Sequence, residues 1–374
     1  MDPAANLRDE LVDSLVAAGV LADPRWVEAF RQVPRHVFLP GFFTPGPGGT
    51  WRAVTSDAPD HLEAVYRNQV CVTQLDGSDA AWEQALATGR PVEGVPTSSS
   101  SMPTIMAIML EALDVRPGDT VLEIGTGTGY NAALLCHVLG SGAVTSVDVD
   151  GGVLARAVAR LAEAGYRPWC AEADGELGFP QRAPYSRVLG TCAVSRVPVA
   201  WLDQVEPGGM IVTTLNRALG AGLLRLVVHD GVATGRVMID DGRFMPLRAH
   251  NQSWAEAALA TAATAPATTS RTTPLPARAV VDPVSGFEFF AGLALPDVVT
   301  AGDPVRLVHP DGSWVRYHDG VVDQGGPREL WTSAEQAYET WRNLGRPRRQ
   351  HFTFTASRDE QHFALDGSAL TWPI

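Results

Sequence analysis

Hydrophobic and polar residues follow one another along this chain in a pattern that predicts alternating helices and strands. Apolar residues recur at helical spacing over 7–18 and 102–113, and Asp23 caps a further helix over 25–32. Between residues 121 and 214, short apolar runs alternate with helical segments. This alternation is typical of a mostly parallel sheet with helices on both faces, so we predict an α/β fold.

The pattern changes in the second half of the chain. Two apolar runs at 223–229 and 236–239 predict an antiparallel hairpin at the sheet edge. Residues 255–279 are almost entirely Ala, Thr, Pro and Ser, which is typical of a linker. Strand pairs follow, with a helix whose capping box begins at Ser333. We predict a first domain over 1–250, a linker over 251–279 and a small α+β domain over 280–374.

Composition narrows the class of protein. The 374 residues carry a formal net charge of −13, which disfavours a nucleic-acid substrate because phosphate binding needs a basic surface. No apolar run approaches the ~20 residues of a membrane span, and the N-terminus lacks a basic segment followed by an apolar one. The cysteines and histidines form no metal-binding spacing. We expect a cytoplasmic protein that binds no metal, nucleic acid or membrane; its oligomeric state stays open.

The most informative motif is V-L-E-I-G-T-G-T-G-Y at 121–130, where an apolar strand enters a glycine-rich turn and then a helix. The glycines let the backbone turn sharply and leave room for a nucleotide-like ligand. Their spacing differs from the dinucleotide fingerprint G-x-G-x-x-G, and an acid, Glu123, precedes the first glycine by two residues. Asp148 ends the next predicted strand, where a carboxylate can accept ribose hydroxyls. The alternative is a helix-entry turn beside a solvated acid.

Several motifs, in this order, resemble those of the protein-L-isoaspartate O-methyltransferase family. They are V-P-R-H-V-F at 33–38, the glycine motif at 121–130, A-D-G at 173–175, P-G-G at 207–209 and R-F-M-P-L at 243–247. The resemblance implies a class I S-adenosylmethionine-dependent methyltransferase with a Rossmann-like sheet over the first domain. It also implies S-adenosyl-L-methionine as the cofactor.

The resemblance assigns a cofactor site residue by residue. It implies that the glycine motif holds the methionine part, Asp148 the ribose, and Asp174 with Gly175 the adenine. The implied cofactor-binding residues are Glu123, Gly125, Thr126, Gly127, Gly129, Tyr130, Asp148, Asp174 and Gly175. For Asp174, the alternative is an ordinary turn aspartate.

The catalytic segment of the family, T-I-S-[AQ]-P, corresponds to T-S-S-S-S-M-P at 97–103. Counting back from Val121 places its serine at Ser101, whose hydroxyl is implied to hold or steer the substrate carboxylate. The alternative for four consecutive serines is a flexible polar loop. The implied substrate-binding residues are Ser100, Tyr66, Asn68, Cys192 and Phe244. Cys192 has no base beside it in any motif, so simple packing is its alternative.

Two departures from the family bear on the substrate. The aromatic-x-Asp element of the family is Tyr66-Arg67-Asn68 here, and extra residues drawn from 71–96 separate it from Ser101. The chain also continues after Trp254, where we expect the repair enzymes to have no counterpart. Both features resemble an actinobacterial branch of the family with a C-terminal extension, which is associated with graspetide and lanthipeptide biosynthesis.

In that branch, the acceptor is an aspartate side chain of a ribosomally synthesised, modified precursor peptide, and the ester cyclises to an aspartimide. We predict a carboxyl O-methyltransferase of this kind, whose partner is the precursor peptide. The first alternative is a protein-L-isoaspartate O-methyltransferase that repairs damaged proteins. The second is a scaffold with a degenerate fold, which the intact glycine and acid positions disfavour. The C-terminal domain is expected to bind substrate or to mediate dimerisation.

Overall fold

A computed structural model describes residues 3–302 and 304–374 of the chain. The polypeptide forms two compact units. The first comprises Met1–Cys192 and Ala200–Val212, and the second comprises Ala193–Val199 and Thr213–Ile374. Within the described ranges, no helix is long and apolar enough to cross a membrane.

The first unit contains a parallel sheet, an antiparallel sheet and the helices that connect their strands. Its helices are α1 (Pro3–Ala17), α2 (Pro24–Gln32), α3 (His61–Tyr66), α4 (Ala80–Thr88), α5 (Pro103–Leu113), α6 (Tyr130–Leu139) and α7 (Gly151–Glu163). Its strands are β1 (Gly41–Pro45), β2 (Trp51–Thr55), β3 (Cys71–Leu75), β4 (Pro96–Ser100), β5 (Val121–Ile124), β6 (Val144–Asp148) and β7 (Trp169–Glu172). The elements β8 (Tyr185–Val194), α8 (Val199–Gln204) and β9 (Val205–Leu215) are divided between the units along the sequence.

The parallel sheet has β5 at its centre, with β6 on one side and β8 on the other, and β7 lies beyond β6. The apolar residues of β5 and β6 are almost completely buried, and so are the polar residues Thr145 and Ser146 of β6, because both faces of a parallel sheet are covered. Asp23 accepts a hydrogen bond from the backbone N–H of Arg25 at 2.9 Å and so caps α2, as its sequence predicts. The predicted α/β fold is confirmed.

The antiparallel sheet has the strand order β2-β1-β3-β4. The serine segment forms its strand β4, so the alternative of a flexible polar loop is wrong. The extra residues drawn from 71–96 supply β3 and α4. Trp82 of α4 packs edge-to-face on Phe43, with 5.1 Å between the ring centroids, over a small apolar core. The extra residues therefore form a folded part of the unit.

The second unit contains two antiparallel sheets. Its strands are β10 (Leu223–His229), β11 (Val232–Val237), β12 (Thr269–Thr272), β13 (Val299–Ala301), β14 (Val305–Val308), β15 (Trp314–His318), β16 (Val321–Gly325), β17 (Phe352–Ala356), β18 (Gln361–Leu365) and β19 (Thr371–Pro373). Its helices are α9 (Ala255–Thr264), α10 (Ala277–Val281), α11 (Glu288–Ala294) and α12 (Leu330–Asn343). The strand orders are β10-β11-β17-β18-β19 and β12-β16-β15-β14-β13.

The predicted linker over 251–279 is wrong. Its residues form α9, where the high helix propensity of alanine outweighs the low complexity, and β12, which pairs with β16. Ala262 of α9 is buried in an apolar cluster with Val308 and Trp314. The boundary at residue 250 is also wrong, because β11 of the predicted first domain pairs with β17 of the predicted last one.

The predicted capping box at Ser333 is wrong as well. The helix α12 begins at Leu330, and Glu329 precedes its first turn. The backbone N–H of Ser333 donates to the carbonyl of Glu329 at 3.1 Å, so Ser333 already lies within the helix. Buried Leu330 and Trp331 extend the apolar face of the helix beyond the motif.

A buried ionic cluster stabilises the second unit around Glu288 of α11, whose side chain is 0% exposed. Its Oε1 accepts hydrogen bonds from the backbone N–H of Gly220 and from Arg243, both at 2.8 Å. Arg349 lies 3.7 Å from its other oxygen and 2.9 Å from Asp241. The cluster holds the segment that contains the R-F-M-P-L motif against α11.

The substitution Glu288→Ala is expected to lower the free energy of unfolding by about 3 kcal/mol, since it removes one of the two carboxylates that face the buried guanidinium of Arg349 and leaves the backbone N–H of Gly220 without its acceptor. Glu256→Ala, on the exposed face of α9, is the matched control and should change it by less than about 0.5 kcal/mol. Urea denaturation of the full chain measures both. Equal midpoints for the two variants would contradict a stabilising role of the cluster.

Candidate active site

The glycine turn at residues 125–129 joins β5 to α6 in a left-handed backbone conformation. The φ angles of Gly125, Gly127 and Gly129 are 100°, 53° and 87°, a region that side chains disfavour. A Cβ on Gly125 would lie 2.8 Å from Thr191 Oγ1, and one on Gly127 would lie 3.3 Å from the carbonyl oxygen of Ser99. Side chains at these positions would fill the space along the turn. Their absence leaves room for a ligand to approach the backbone, as a cofactor loop requires.

Asp148 lies at the carboxyl end of β6 and holds this turn. Its Oδ2 accepts a hydrogen bond from the backbone N–H of Gly127 at 2.9 Å, and its Oδ1 accepts one from Asp150 at 3.0 Å. A carboxylate has about four acceptor positions, so Asp148 can brace the turn and also accept ribose hydroxyls. The geometry fits the predicted ribose contact.

Glu123 lies beneath the turn, and its side chain is completely buried. Asn131 donates to its Oε1 at 2.7 Å and Ser146 to its Oε2 at 2.5 Å, while Thr126 contacts the Ser146 hydroxyl at 2.7 Å. Burial raises the pKa of Glu123 to about 7, and the two hydrogen bonds, which favour the ionised form, only partly offset this. The structure thus places Glu123 as an internal support of the loop.

The A-D-G segment follows β7 and adjoins Asp148, whose carbonyl accepts a hydrogen bond from the N–H of Ala173 at 3.0 Å. Asp174 is exposed and accepts a hydrogen bond from the N–H of Glu176 at 3.0 Å, which is the geometry of a turn. The carbonyl of Gly175 accepts from the indole of Trp201 at 2.8 Å. The segment adjoins Asp148, the predicted ribose-binding acid, and this position is compatible with the predicted contact to adenine.

The serine segment lies on β4 and ends at Ser101, directly before α5. Burial alternates along it: Ser98 and Ser100 are buried, whereas Ser99 and Ser101 are partly exposed. The hydroxyl of Ser100 has no hydrogen-bond partner among the described residues. Because Ser99 lies against Gly127, the predicted catalytic segment and the predicted cofactor loop are neighbours in one unit.

The two other predicted substrate residues of this region have structural contacts. The hydroxyl of Tyr66 hydrogen-bonds Nδ1 of His36 at 2.7 Å. Asn68 is exposed; its amide donates to the hydroxyl of Thr104 at 2.7 Å and accepts from the N–H of Thr104 at 3.0 Å. Asn68 therefore holds the first turn of α5, directly after Ser101.

Cys192 lies near the end of β8, and Phe244 lies in the motif at 243–247. Burial raises the pKa of the Cys192 thiol to about 12, so it stays protonated and is no nucleophile at neutral pH. In the second unit, Ala193 exchanges backbone hydrogen bonds with Met245 at 2.9 Å and Leu247 at 2.8 Å. This bridge positions the motif that contains the partly buried Phe244.

Sequence reasoning missed two residues of the first unit. Thr191 donates to the carbonyls of Ile124 and Gly125 at 2.9 and 2.8 Å, and so ties the turn to β8. Arg35, the arginine of V-P-R, is 0% exposed and contacts the carbonyl of Ser101 at 3.1 Å. The arginine within V-P-R was the available signal for Arg35, whereas no motif marked Thr191. In the described part of the chain, no cluster of three potential metal ligands occurs.

Known proteins similar to this chain agree on one family. The sequence profile described as "Protein-L-isoaspartate(D-aspartate) O-methyltransferase (PCMT)" matches residues 54–265. A protein-L-isoaspartate O-methyltransferase 2 from Anaeromyxobacter sp. (strain Fw109-5) is 30% identical over 242 residues, which are 64% of this chain and 83% of the relative. A protein-L-isoaspartate O-methyltransferase from Anaeromyxobacter dehalogenans (strain 2CP-1 / ATCC BAA-258) is 40% identical over 39% of this chain and 71% of its own length.

The chain belongs to the protein-L-isoaspartate O-methyltransferase family. It is therefore a protein carboxyl O-methyltransferase of the class I fold, and S-adenosyl-L-methionine is the cofactor of this family.

A solved structure described as protein-L-isoaspartate O-methyltransferase covers 96% of this chain and 99% of its own, with 22% identity and a TM-score of 0.56. Its fold therefore has a counterpart to almost the whole chain, including most of the region after Trp254. The expectation that such a tail has no counterpart therefore does not hold for this solved structure. The tail alone does not separate this chain from proteins with that description.

The pH dependence of stability tests the position of Glu123. The folded chain keeps the Glu123 proton up to about pH 7, while the unfolded chain releases it near 4.5, so ionisation favours unfolding. This carboxyl should lower the free energy of unfolding as the pH rises through that window, by up to about 1.4 kcal/mol per pH unit. In Glu123→Gln this contribution is absent, so the variant gains stability relative to the natural chain as the pH rises. Urea midpoints measured from about pH 5 to pH 8 would refute this if both curves ran parallel.

Proposed function

We propose that this enzyme methylates the free carboxylate of isoaspartyl residues in proteins and peptides, with the serine segment as its acceptor site. The observation that supports this most directly is the close approach of Ser99 to Gly127, where an added Cβ would lie 3.3 Å from the Ser99 carbonyl oxygen, because it puts the proposed acceptor segment beside the proposed cofactor loop. The family profile and the relatives with isoaspartate in their names support the same substrate. In this proposal, Glu123 supports the loop from beneath, and Asp148, Asp174 and the glycine turn hold the cofactor.

Bound S-adenosylmethionine supplies an electrophilic methyl group on a sulfonium. The chain has to bind and orient a carboxylate, which is already a nucleophile at neutral pH, so no general base is required. Ser101 donates to one carboxylate oxygen and leaves the other free to attack. Fixing the carboxylate in this way accounts for much of the barrier reduction, since orientation alone can contribute several kcal/mol. The methyl ester then loses methanol to the next amide nitrogen of the substrate, without help from the enzyme.

Methylation of an aspartate side chain in a ribosomally made, modified peptide is the second candidate. The extra strand β3 supports it, because Gln74 donates to the carboxylate of Asp150 at 3.0 Å and accepts from Thr97 at 2.8 Å. The extra residues thus extend from the serine segment to the residue that caps α7, close to both predicted sites. Asn68, which replaces the aspartate of the family, is a further difference at the acceptor side. Its substrate would be the precursor peptide encoded beside the gene.

Three substrates separate the candidates: an isoaspartyl peptide, the same peptide with ordinary aspartate, and the precursor peptide in its modified form. Each is incubated with the full chain and S-adenosylmethionine, and its mass is followed. We expect rapid methylation of the isoaspartyl peptide alone. Methylation of the precursor followed by loss of methanol, with the isoaspartyl peptide unchanged, would overturn the proposal in favour of the second candidate.

Ser101→Ala should slow methyl transfer by about ten- to a hundred-fold, the effect of losing one hydrogen bond to a charged group. Its affinity for S-adenosylmethionine should stay near that of the natural chain. Ser98→Ala is the matched control, because Ser98 is buried on the same strand and accepts a hydrogen bond from Thr73 at 3.0 Å. Isothermal titration and initial rates measure both properties. The role assigned to Ser101 would be wrong if Ser101→Ala lost affinity for S-adenosylmethionine while the cofactor-bound fraction of the enzyme kept the normal turnover rate.

A further inference from the structure

Arg35 is a buried cation whose hydrogen bonds all go to the acceptor side of the site. It lies in the short helix Arg35–Phe38, with a side-chain exposure of 0%. Its Nη1 donates to the carbonyl of Val65 at 2.5 Å, and the edge of its guanidinium lies 4.0 Å from the sulfur of Cys71. The guanidinium carbon lies 6.0 Å from the ring centre of Tyr130, the first residue of α6.

The same guanidinium braces both predicted acceptor residues. It donates to the carbonyls of Arg67 and Gln69, each at 3.3 Å, and these residues flank Asn68. It also donates to the carbonyl of Ser101 at 3.1 Å. One side chain therefore fixes the turn that holds α5 and the peptide that follows the catalytic serine.

The bond to the Ser101 carbonyl fixes the direction of the next N–H. The peptide between Ser101 and Met102 is trans, so its N–H points away from its C=O, and hence away from Arg35. Among the residues that the structure describes, no acceptor pairs with the N–H of Met102. A cation on the carbonyl side also polarises the peptide and strengthens its N–H as a donor.

Arg35 has no counter-ion in the described part of the chain, where every acceptor of its guanidinium is a backbone carbonyl or the sulfur of Cys71. A buried charge without a counter-ion is costly, even when it is hydrogen-bonded, unless another charge compensates it. The carboxylate of the substrate has the required sign and is expected at Ser101. This gives a reason to keep an arginine, with its fork of donors, at this position.

We propose that Arg35 is a positioning residue for methyl transfer: it orients and polarises the Ser101–Met102 peptide so that the Met102 N–H binds the substrate carboxylate beside the Ser101 hydroxyl. The inference rests on the proposed function, since it needs a carboxylate acceptor at Ser101. Arg35 itself does not touch the substrate. The transfer forms a carbon–oxygen bond between the methyl group and one carboxylate oxygen and breaks the carbon–sulfur bond of the sulfonium, which leaves as S-adenosylhomocysteine. The Met102 N–H holds the other carboxylate oxygen, and no proton is exchanged.

The test compares Arg35→Lys with Arg187→Lys. Arg187 is also a buried arginine of the first unit, and it donates to the carbonyls of Leu113 and Asp114 at 2.9 Å, away from the serine segment. We expect Arg35→Lys to lose about a hundred-fold in kcat on the isoaspartyl peptide, the effect of small misplacement, with cofactor affinity within about two-fold. Arg187→Lys should lose thermal stability and keep the kcat of the natural chain. Equal losses of kcat in both variants, at equal folded fraction, would overturn the proposal.

A second measurement is independent of turnover. The chain has seven methionines, so ¹⁵N-methionine labelling gives a simple amide spectrum, in which Met102→Leu identifies the Met102 signal. With S-adenosylhomocysteine bound, addition of the isoaspartyl peptide should shift this signal in the natural chain and in Arg187→Lys, but not in Arg35→Lys. A signal that responds equally in all three proteins would refute the role of Arg35. A shift without turnover in the natural chain would refute the proposed function and leave the positioning role supported.

Discussion

Gly127 connects the two halves of the site, and its lack of a side chain is the constraint on which the arrangement depends. A Cβ at this position would lie 3.3 Å from the Ser99 carbonyl, and the φ angle of 53° already favours glycine. The amide of the same residue donates to Asp148 at 2.9 Å. A larger residue would displace β4 and, with it, Ser101. The proposed cofactor and acceptor positions are therefore coupled through the close approach of these two backbone segments, so the loop and the serine segment have to be considered together.

The parallel strands could be predicted because short strand-like runs alternate with helical segments, and the cap at Asp23 because it depends only on local geometry. Residues 255–279 were wrongly predicted to form a linker because composition reports only local preference. β12 exists because it pairs with the distant β16. The membership of β11 in the second unit likewise depends on β17, more than a hundred residues away in the sequence. No local window contains such pairings.

Motifs identified which residues the site needs, but not what each one contacts. The acid before the first glycine was expected to face the cofactor, yet Glu123 is buried and bonded to Asn131 and Ser146. A motif records that a residue type is required, and internal support can require it as strictly as ligand contact does. Arg35 is the opposite case, a residue that no motif linked to the acceptor side. Only the fold brings it to the carbonyl of Ser101, to which it donates a hydrogen bond. The spacing of the motifs in the sequence does not give the distance in space between Arg35 and the serine segment.

The balance of charge on the acceptor side is the remaining guide to the substrate. Arg35 contributes a buried positive charge, and Asn68 contributes none where the family has an aspartate. An aspartate at 68 could accept a hydrogen bond from the same N–H of Thr104, but it would add a negative charge to the turn that precedes the extra residues, and like charges repel. Asparagine at this position removes that repulsion from the proposed acceptor side. Specificity among carboxylates is therefore to be sought in the first unit, between Asn68 and the extra residues that lead to β4.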